Sequence, residues 1–406
     1  MRIAYMLLDP GIGVFGTKGA SVHVQEIVRA MRALGHEVRV FCTRRDSQVP
    51  VDLADLPVTV LPVPKGLDAG EREMELLRLS ADLVDAALRD GPFDLVYERY
   101  SLFSTAGGGL SAHLGAPLIL EVNAPLLEEQ RNHRGLVHTE HAERATASSF
   151  AAADRINCVS PAVAAWVDRD YPGIAGVTVI PNGVNTDRIT PGALEEEDVA
   201  EVRANCATPA EVTPAEPVRI GFVGTLKPWH GTENLIAACA HLQGGVHLDI
   251  CGHGPEAEAL RAQVASLGLE QSVTFHGAVA PDVMPEHLRR FDIAVAPYPP
   301  GDNYFSPLKV YEYMAAGLPI VASRIGAIPE LLEGTGAAEL VPPGDVSALA
   351  AALQTLIDDP AACRRMGTAA RAAAVIRHTW LSRCEDILAP FTRTHTEVPD
   401  GAVAAT

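Results

Sequence analysis

Short runs rich in Val, Ile and Leu recur along the chain and alternate with longer stretches in which Ala, Leu and Arg repeat at helical spacing. Strand-length apolar runs separated by amphipathic helices indicate parallel sheets with helices on both faces. In the first half the pattern predicts strands at Ile3–Leu8, Glu37–Phe41, Val58–Val63, Asp94–Tyr97, Pro117–Val122, Arg155–Val159 and Val177–Ile180. Helices are expected between them, as at Ala20–Leu34 and Glu71–Leu88. A second series opens at Val218–Gly224 and continues at Val246–Cys251, Ser272–His276, Ile293–Pro297, Pro319–Ala322 and Glu339–Val341. Ala-rich helices then run from Val346 to about Arg377.

Between the two series the composition changes. Leu194 to Asp198 is acidic, and residues 207–217 are rich in Pro, Ala, Thr and Glu, as in a solvated connector. The expected organisation is therefore a Rossmann-like unit over 1–185, a linker over 186–217, a second unit over 218–390 and a disordered tail over 391–406. A chain of 406 residues suits two domains better than one core. The fold class expected is α/β, two doubly wound domains facing a central cleft. Ligands of such sheets bind beyond the carboxyl ends of the strands.

Composition narrows the partners. A formal charge of −19 argues against nucleic acid and leaves at most peripheral contact with a membrane. No apolar run approaches the roughly 20 residues that span a bilayer, and no secretory apolar region opens the chain. The seven cysteines form no CxxC pair, which points to reduced cysteine in the cytoplasm without a zinc cage. Only four lysines (18, 65, 227 and 309) accompany 28 arginines, as in a GC-rich bacterial genome, and three of the four fall in strand-to-helix turns. Such turns are where phosphate sites are built.

Three loops carry candidate chemistry. The first runs from Asp9 to Val24, where Gly11, Gly13 and Gly16 match a dinucleotide fingerprint in form. Its third glycine does not open the helix, because Thr17-Lys18-Gly19 intervenes, and strand two does not end on an acid. Gly16 and Gly19 can nevertheless present backbone amides to a phosphate or sugar. The second loop is Gly224-Thr225-Leu226-Lys227-Pro228-Trp229-His230-Gly231. A lysine at a helix start opposes the macrodipole, and a bound diphosphate would remove that conflict. The third loop runs from Pro297 to Pro307 and enters a helix, with Ser306 as expected N-cap and Pro307 at the first helical position. Leu308 and Lys309 follow, and Glu312 lies about one and a half turns in, placed to grip two ribose hydroxyls.

With these loops in this order, the chain resembles retaining glycosyltransferases of the GT-B fold, family 4. The resemblance also takes in Pro181-Asn182-Gly183-Val184-Asn185, Cys251-Gly252-His253-Gly254-Pro255, Phe275-His276-Gly277 and Pro342-Pro343-Gly344-Asp345. It implies that Glu312 holds the donor ribose and that Gly254 lies under the nucleotide. The first glutamate of the family's Glu-x7-Glu element would fall at Tyr304, with Asp302 nearby but out of register. Thr225 stands where the family has arginine and His230 where it has lysine, so Lys227 and Lys309 are expected to meet the diphosphate. The resemblance implies a nucleoside-diphosphate sugar as donor substrate, UDP before GDP, with no permanently bound cofactor and no metal requirement.

Retention without an evident carboxylate pair points to front-face attack, with Lys227 and His230 stabilising the leaving group. Asn123, in Glu121-Val122-Asn123-Ala124-Pro125, holds the approximate place of a histidine that relatives set near the transferred sugar. Downstream, Arg131, His133, Arg134, His138, His141 and Arg144 read as a basic helix, either solvated or facing an acceptor. The function expected is transfer of a hexosyl-type sugar to a hydroxyl of a glycan, glycolipid precursor or small molecule. A nucleotide-sugar epimerase and a non-catalytic nucleotide-sugar-binding protein are the alternatives on the same scaffold.

Overall fold

The structure, a computed structural model, describes residues 1–133, 135–192, 216–301 and 303–392. It divides into two compact units, one of Met1–Asn182 with the helix Trp380–Thr392 and one of Gly183–Thr379.

The first unit is a seven-stranded parallel sheet: β1 (Arg2–Leu7), β2 (Glu37–Cys42), β3 (Val58–Val60), β4 (Leu95–Arg99), β5 (Leu118–Val122), β6 (Arg155–Cys158) and β7 (Val177–Val179). Their order across the sheet is β3-β2-β1-β4-β5-β6-β7. The second unit holds six parallel strands: β8 (Val218–Val223), β9 (Val246–Cys251), β10 (Val273–Gly277), β11 (Ile293–Ala296), β12 (Ile320–Ser323) and β13 (Ala338–Val341). Their order is β10-β9-β8-β11-β12-β13. In each sheet the order reverses once, between β1 and β4 and between β8 and β11, and that reversal is the crevice where open α/β sheets bind ligands. The central strands β1, β4, β5 and β11 are buried along nearly their whole length, as strands covered on both faces must be.

Local signals explain where the helices begin. Asp68 and Glu71 form a reciprocal capping box at the start of Ala69–Asp90. Ser160, Asp345 and Asp359 each accept an amide at the start of the helix they precede, and Pro161 and Pro360 fill first-turn positions.

The boundaries differ from those expected in three places. Residues 183–192 pack with the second unit: the Val184 amide donates to the His378 carbonyl at 2.8 Å. The Arg371 guanidinium donates to the carbonyls of Thr186 and Ile189 at 3.0 and 2.9 Å. The rest of the expected linker, 193–215, lies outside the described residues. The helix Trp380–Thr392 leaves the second unit and packs on Gly19–Ala33 in the first, with the Cys384 thiol 3.8 Å from the Ile27 carbonyl and Trp380 edge-on to His23. Its apolar face signalled burial without saying on which sheet. Phe391 and Thr392 still belong to this helix, and the remainder of the expected tail lies outside the described residues.

Candidate active site

At the carboxyl ends of β8, β9 and β11, three loops interlock through glycines. A Cβ on Gly252 would stand 1.8 Å from the Gly224 carbonyl oxygen, and one on Gly231 would stand 1.8 Å from that of Pro297. Gly231 also has φ +67°, which favours glycine. Gly254 packs its Cα on the Leu226 backbone, where a Cβ would meet the carbonyl oxygen at 2.2 Å, so its first task is to let two turns touch. Tyr313 ties the crossover together: its hydroxyl accepts from the Val223 amide at 2.8 Å and donates to the Val295 carbonyl at 3.2 Å.

Lys309 lies beneath this junction. It is 8% exposed, and its Nζ has no hydrogen-bond partner. A Cβ on Gly224 would stand 2.7 Å from that nitrogen, so the β8 turn passes directly over it. The ammonium sits 4.2 Å from the Phe222 ring centroid and 5.2 Å from that of Tyr298. Burial pulls its pKa down to about 7, against a smaller pull upward from Glu312, one helical turn on. A buried amine that faces aromatic rings and makes no hydrogen bond favours an anion, which would stabilise its charged form.

Lys227 occupies the N-cap position of the short turn Pro228–His230 and lies 5.2 Å from the Trp229 ring, which is 55% exposed. Thr225 contributes its carbonyl, which accepts a short hydrogen bond from His230 Nδ1. Burial, with Lys309 and Lys227 adding to it, lowers His230 to about 3. His230 is therefore neutral at pH 7 in the ligand-free protein and adds no positive charge there, leaving Lys227 and Lys309 as the cations of this loop junction.

The helix after β11 runs Leu308–Ala315. Pro307 itself takes the N-cap position, one residue later than the cap expected at Ser306; the buried Ser306 hydroxyl donates to that of Tyr311 at 3.4 Å. Glu312 is half-buried on this helix, Tyr304 is half-buried in the loop before it, and Asp302 lies outside the described residues.

In the first unit the glycine-rich loop is held down from both sides. Val14 and Phe15 donate to the carbonyls of Arg44 and Arg45 at 3.2 and 2.8 Å, and Gln25 Nε2 donates to the carbonyls of Val14 and Gly16 at 2.9 and 3.0 Å. Asp46, at φ +59°, fills the loop: its Oδ2 would be 2.0 Å from a Cβ on Gly13 and 3.0 Å from one on Gly16. A carboxylate in that position opposes a dinucleotide phosphate there. Gly19 begins the helix Gly19–Ala33, exposed and without a side-chain cap.

Asn123 follows β5, and its Nδ2 donates to Glu121 Oε1 at 2.7 Å. Glu121 is buried and also receives Arg99 Nη1 at 2.9 Å, His23 Nε2 at 2.8 Å and a short bond from the Tyr97 hydroxyl. Burial would raise its pKa, but His23, Arg99 and Tyr97 outweigh that and hold it at about 2. Sequence reasoning missed this network, because its members come from a helix and two strands far apart in the chain. The basic stretch expected as one helix is two, Leu126–His133 and Thr139–Ala152, with Arg131 paired to Glu143. Arg134 lies outside the described residues.

Two further features complete the second unit. A cavity of about 350 Å³ lies at the amino end of the second sheet, lined by Pro217, Val246 and Val273 among others, and contains none of the candidate residues. Cys251, His276 and His287 come together as a group able to hold a metal ion, which the scattered cysteine spacing did not signal.

Comparison with known proteins agrees with this fold. Residues 17–188 match the family described as Glycosyltransferase Family 4, and residues 217–359 match Glycosyl transferases group 1. The D-inositol 3-phosphate glycosyltransferase of Streptomyces avermitilis is 28% identical, over 90% of this chain and 80% of that protein. The alpha-maltose-1-phosphate synthase of Mycolicibacterium smegmatis is 27% identical, over 96% and 98%. Among solved structures, the sucrose-phosphate synthase of Thermosynechococcus elongatus aligns with TM-score 0.72 at 22% identity, covering 97% of this chain and 98% of that one. Anabaena HepE in complex with UDP aligns with TM-score 0.72 at 21% identity, covering 97% and 100%. With two Rossmann-like units and both halves matched, this chain belongs to the GT-B glycosyltransferases of family 4 type and is a glycosyltransferase.

Proposed function

We propose that this glycosyltransferase moves a hexosyl-type sugar from a UDP-sugar to a hydroxyl acceptor with retention of anomeric configuration. The observation that carries the reading is Lys309, a buried amine with no partner under the Gly224 turn. A diphosphate over that turn meets Lys309 from below and Lys227 from the side, with the amide end of Leu308–Ala315 nearby. Binding raises the pKa of Lys309 and keeps it charged, and it raises that of His230 in the same way. Glu312 is assigned to the donor ribose, and Asn123, oriented by Glu121, to the transferred sugar. UDP is preferred to GDP because UDP is the ligand in the Anabaena HepE complex.

In the reaction the bond from the anomeric carbon to the leaving phosphate oxygen breaks. The acceptor oxygen bonds to that carbon on the same face, and its proton passes to the departing phosphate. Lys309, Lys227 and the helix amides carry the charge that develops on the diphosphate, so this step needs no metal ion. A glycan, a glycolipid precursor or a small molecule each offers the hydroxyl required. The test is release of nucleoside diphosphate from UDP- and GDP-sugars with a panel of hydroxyl acceptors, and NMR of the product's anomeric proton. Acceptor-dependent release of UDP with a retained anomer supports the reading; acceptor-independent release or an inverted product contradicts it. Lys227→Ala is expected to lower turnover on the order of 10²-fold, and near-normal turnover would sink its assignment.

A further inference from the structure

Cys251 ends β9, His276 lies near the end of β10 and His287 lies on the short helix Met284–Leu288 that follows. Their candidate ligand atoms all fall within 4.8 Å of one another. The two imidazoles meet edge to face with centroids 4.7 Å apart. Among the described residues, neither the Cys251 thiol nor the His287 ring makes a hydrogen bond. His276 does make one: its Nε2 lies 2.7 Å from Asp249 Oδ1, leaving Nδ1 as its remaining ligand atom. Asp249 is buried and is held in turn by Arg219 at 2.7 Å.

We propose that Cys251, His276 and His287 bind a borderline-soft divalent cation, zinc fitting best, with water as fourth ligand. One thiolate and two imidazoles are a nitrogen and sulfur set that suits tetrahedral zinc and does not suit magnesium. The Asp249–His276 pair is the carboxylate–histidine arrangement that fixes the tautomer and orientation of a metal-ligating imidazole. Bonds of about 2.0–2.3 Å in a tetrahedron put ligand atoms about 3.3–3.8 Å apart. Metal binding therefore draws the three groups closer together, a movement open to the partly exposed His287. On binding, the Cys251 thiol releases its proton to solvent and the sulfur–metal bond forms. Because Cys251 precedes Gly252, the metal fastens the β9 turn to the β10 edge. The site lies on the β9–β10 side of the crossover, takes no part in the transfer step and does not depend on the donor assignment.

Metal-free full-length protein titrated with Co²⁺ tests the proposal. One equivalent should produce tetrahedral ligand-field bands and a thiolate-to-cobalt charge-transfer band in the near ultraviolet, displaced by Zn²⁺ and unaffected by Mg²⁺. The charge-transfer band should vanish in Cys251→Ser. His287→Gln should weaken binding tenfold or more, and Asp249→Asn about 10- to 100-fold. Melting without metal checks that each variant folds, and His287→Gln, at a partly exposed position, keeps the test decisive if the buried variants unfold. No band at one equivalent, a band that survives in folded Cys251→Ser, or unchanged affinity in His287→Gln overturns the proposal.

Discussion

Lys309 is where residue chemistry and function conflict most openly. Its folded pKa, about 7, lies below the ordinary 10.5, so between those values the unfolded chain holds a proton that the folded chain does not. Stability from this group therefore rises as pH increases through that window, and the full penalty of a buried charge applies below it. Lys309→Met replaces the amine by an apolar chain of similar length. The variant should be more stable than the wild type at pH 6, with the difference shrinking as pH approaches 10. Urea unfolding of both proteins across that range checks this, and a difference independent of pH would mean that Lys309 is not buried as a free amine.

At the scale of elements, the site depends on turns that touch through their backbones. Gly252 and Gly224 leave no room for a Cβ, so Gly252→Ala must push the β9 turn away from the β8 turn. The expected cost is about 1–3 kcal/mol of stability, together with loss of nucleotide affinity, since the Gly224 turn covers Lys309. Urea unfolding and nucleotide titration check the two effects, and intact affinity in the variant would show that the turns can separate without harm. The helix Trp380–Thr392 makes a different demand. Trp380 is 6% exposed and packs edge to face with His23, itself bonded to Glu121. Trp380→Ala should destabilise the first unit by about 3–5 kcal/mol; a loss under about 1 kcal/mol would mean that the helix is only loosely attached.

For the whole molecule, both parallel sheets were legible in the sequence, because short, nearly continuous apolar runs alternate with longer helical stretches. The strand ends moved by a few residues, as at β3, which stops at Val60. Three candidate loops were legible because Gly, Pro and a rare lysine mark them. Residues 380–390, expected in the second unit, form a helix of the first, since an apolar face announces burial and not its partner. Contacts made across the chain were also hidden: the burial of Lys309 under the Gly224 turn, the Glu121 network and the Cys251–His276–His287 group each join separate elements. The state of His230 was hidden too: burial beside two lysines keeps it neutral in the ligand-free protein. No helix among the described residues is long and apolar enough to cross a membrane.

Calorimetric titration of UDP into the wild type and Lys309→Met, at pH 6.5 and 8.5 (values on the two sides of about 7) in buffers of different ionisation enthalpy, reaches the central claim most directly. The expected result is micromolar binding by the wild type, proton uptake and weaker affinity at the higher pH, and loss of both binding and proton uptake in the variant. Equal UDP affinity in the two proteins at both pH values, with no proton uptake, would contradict the assignment of Lys309 to the diphosphate.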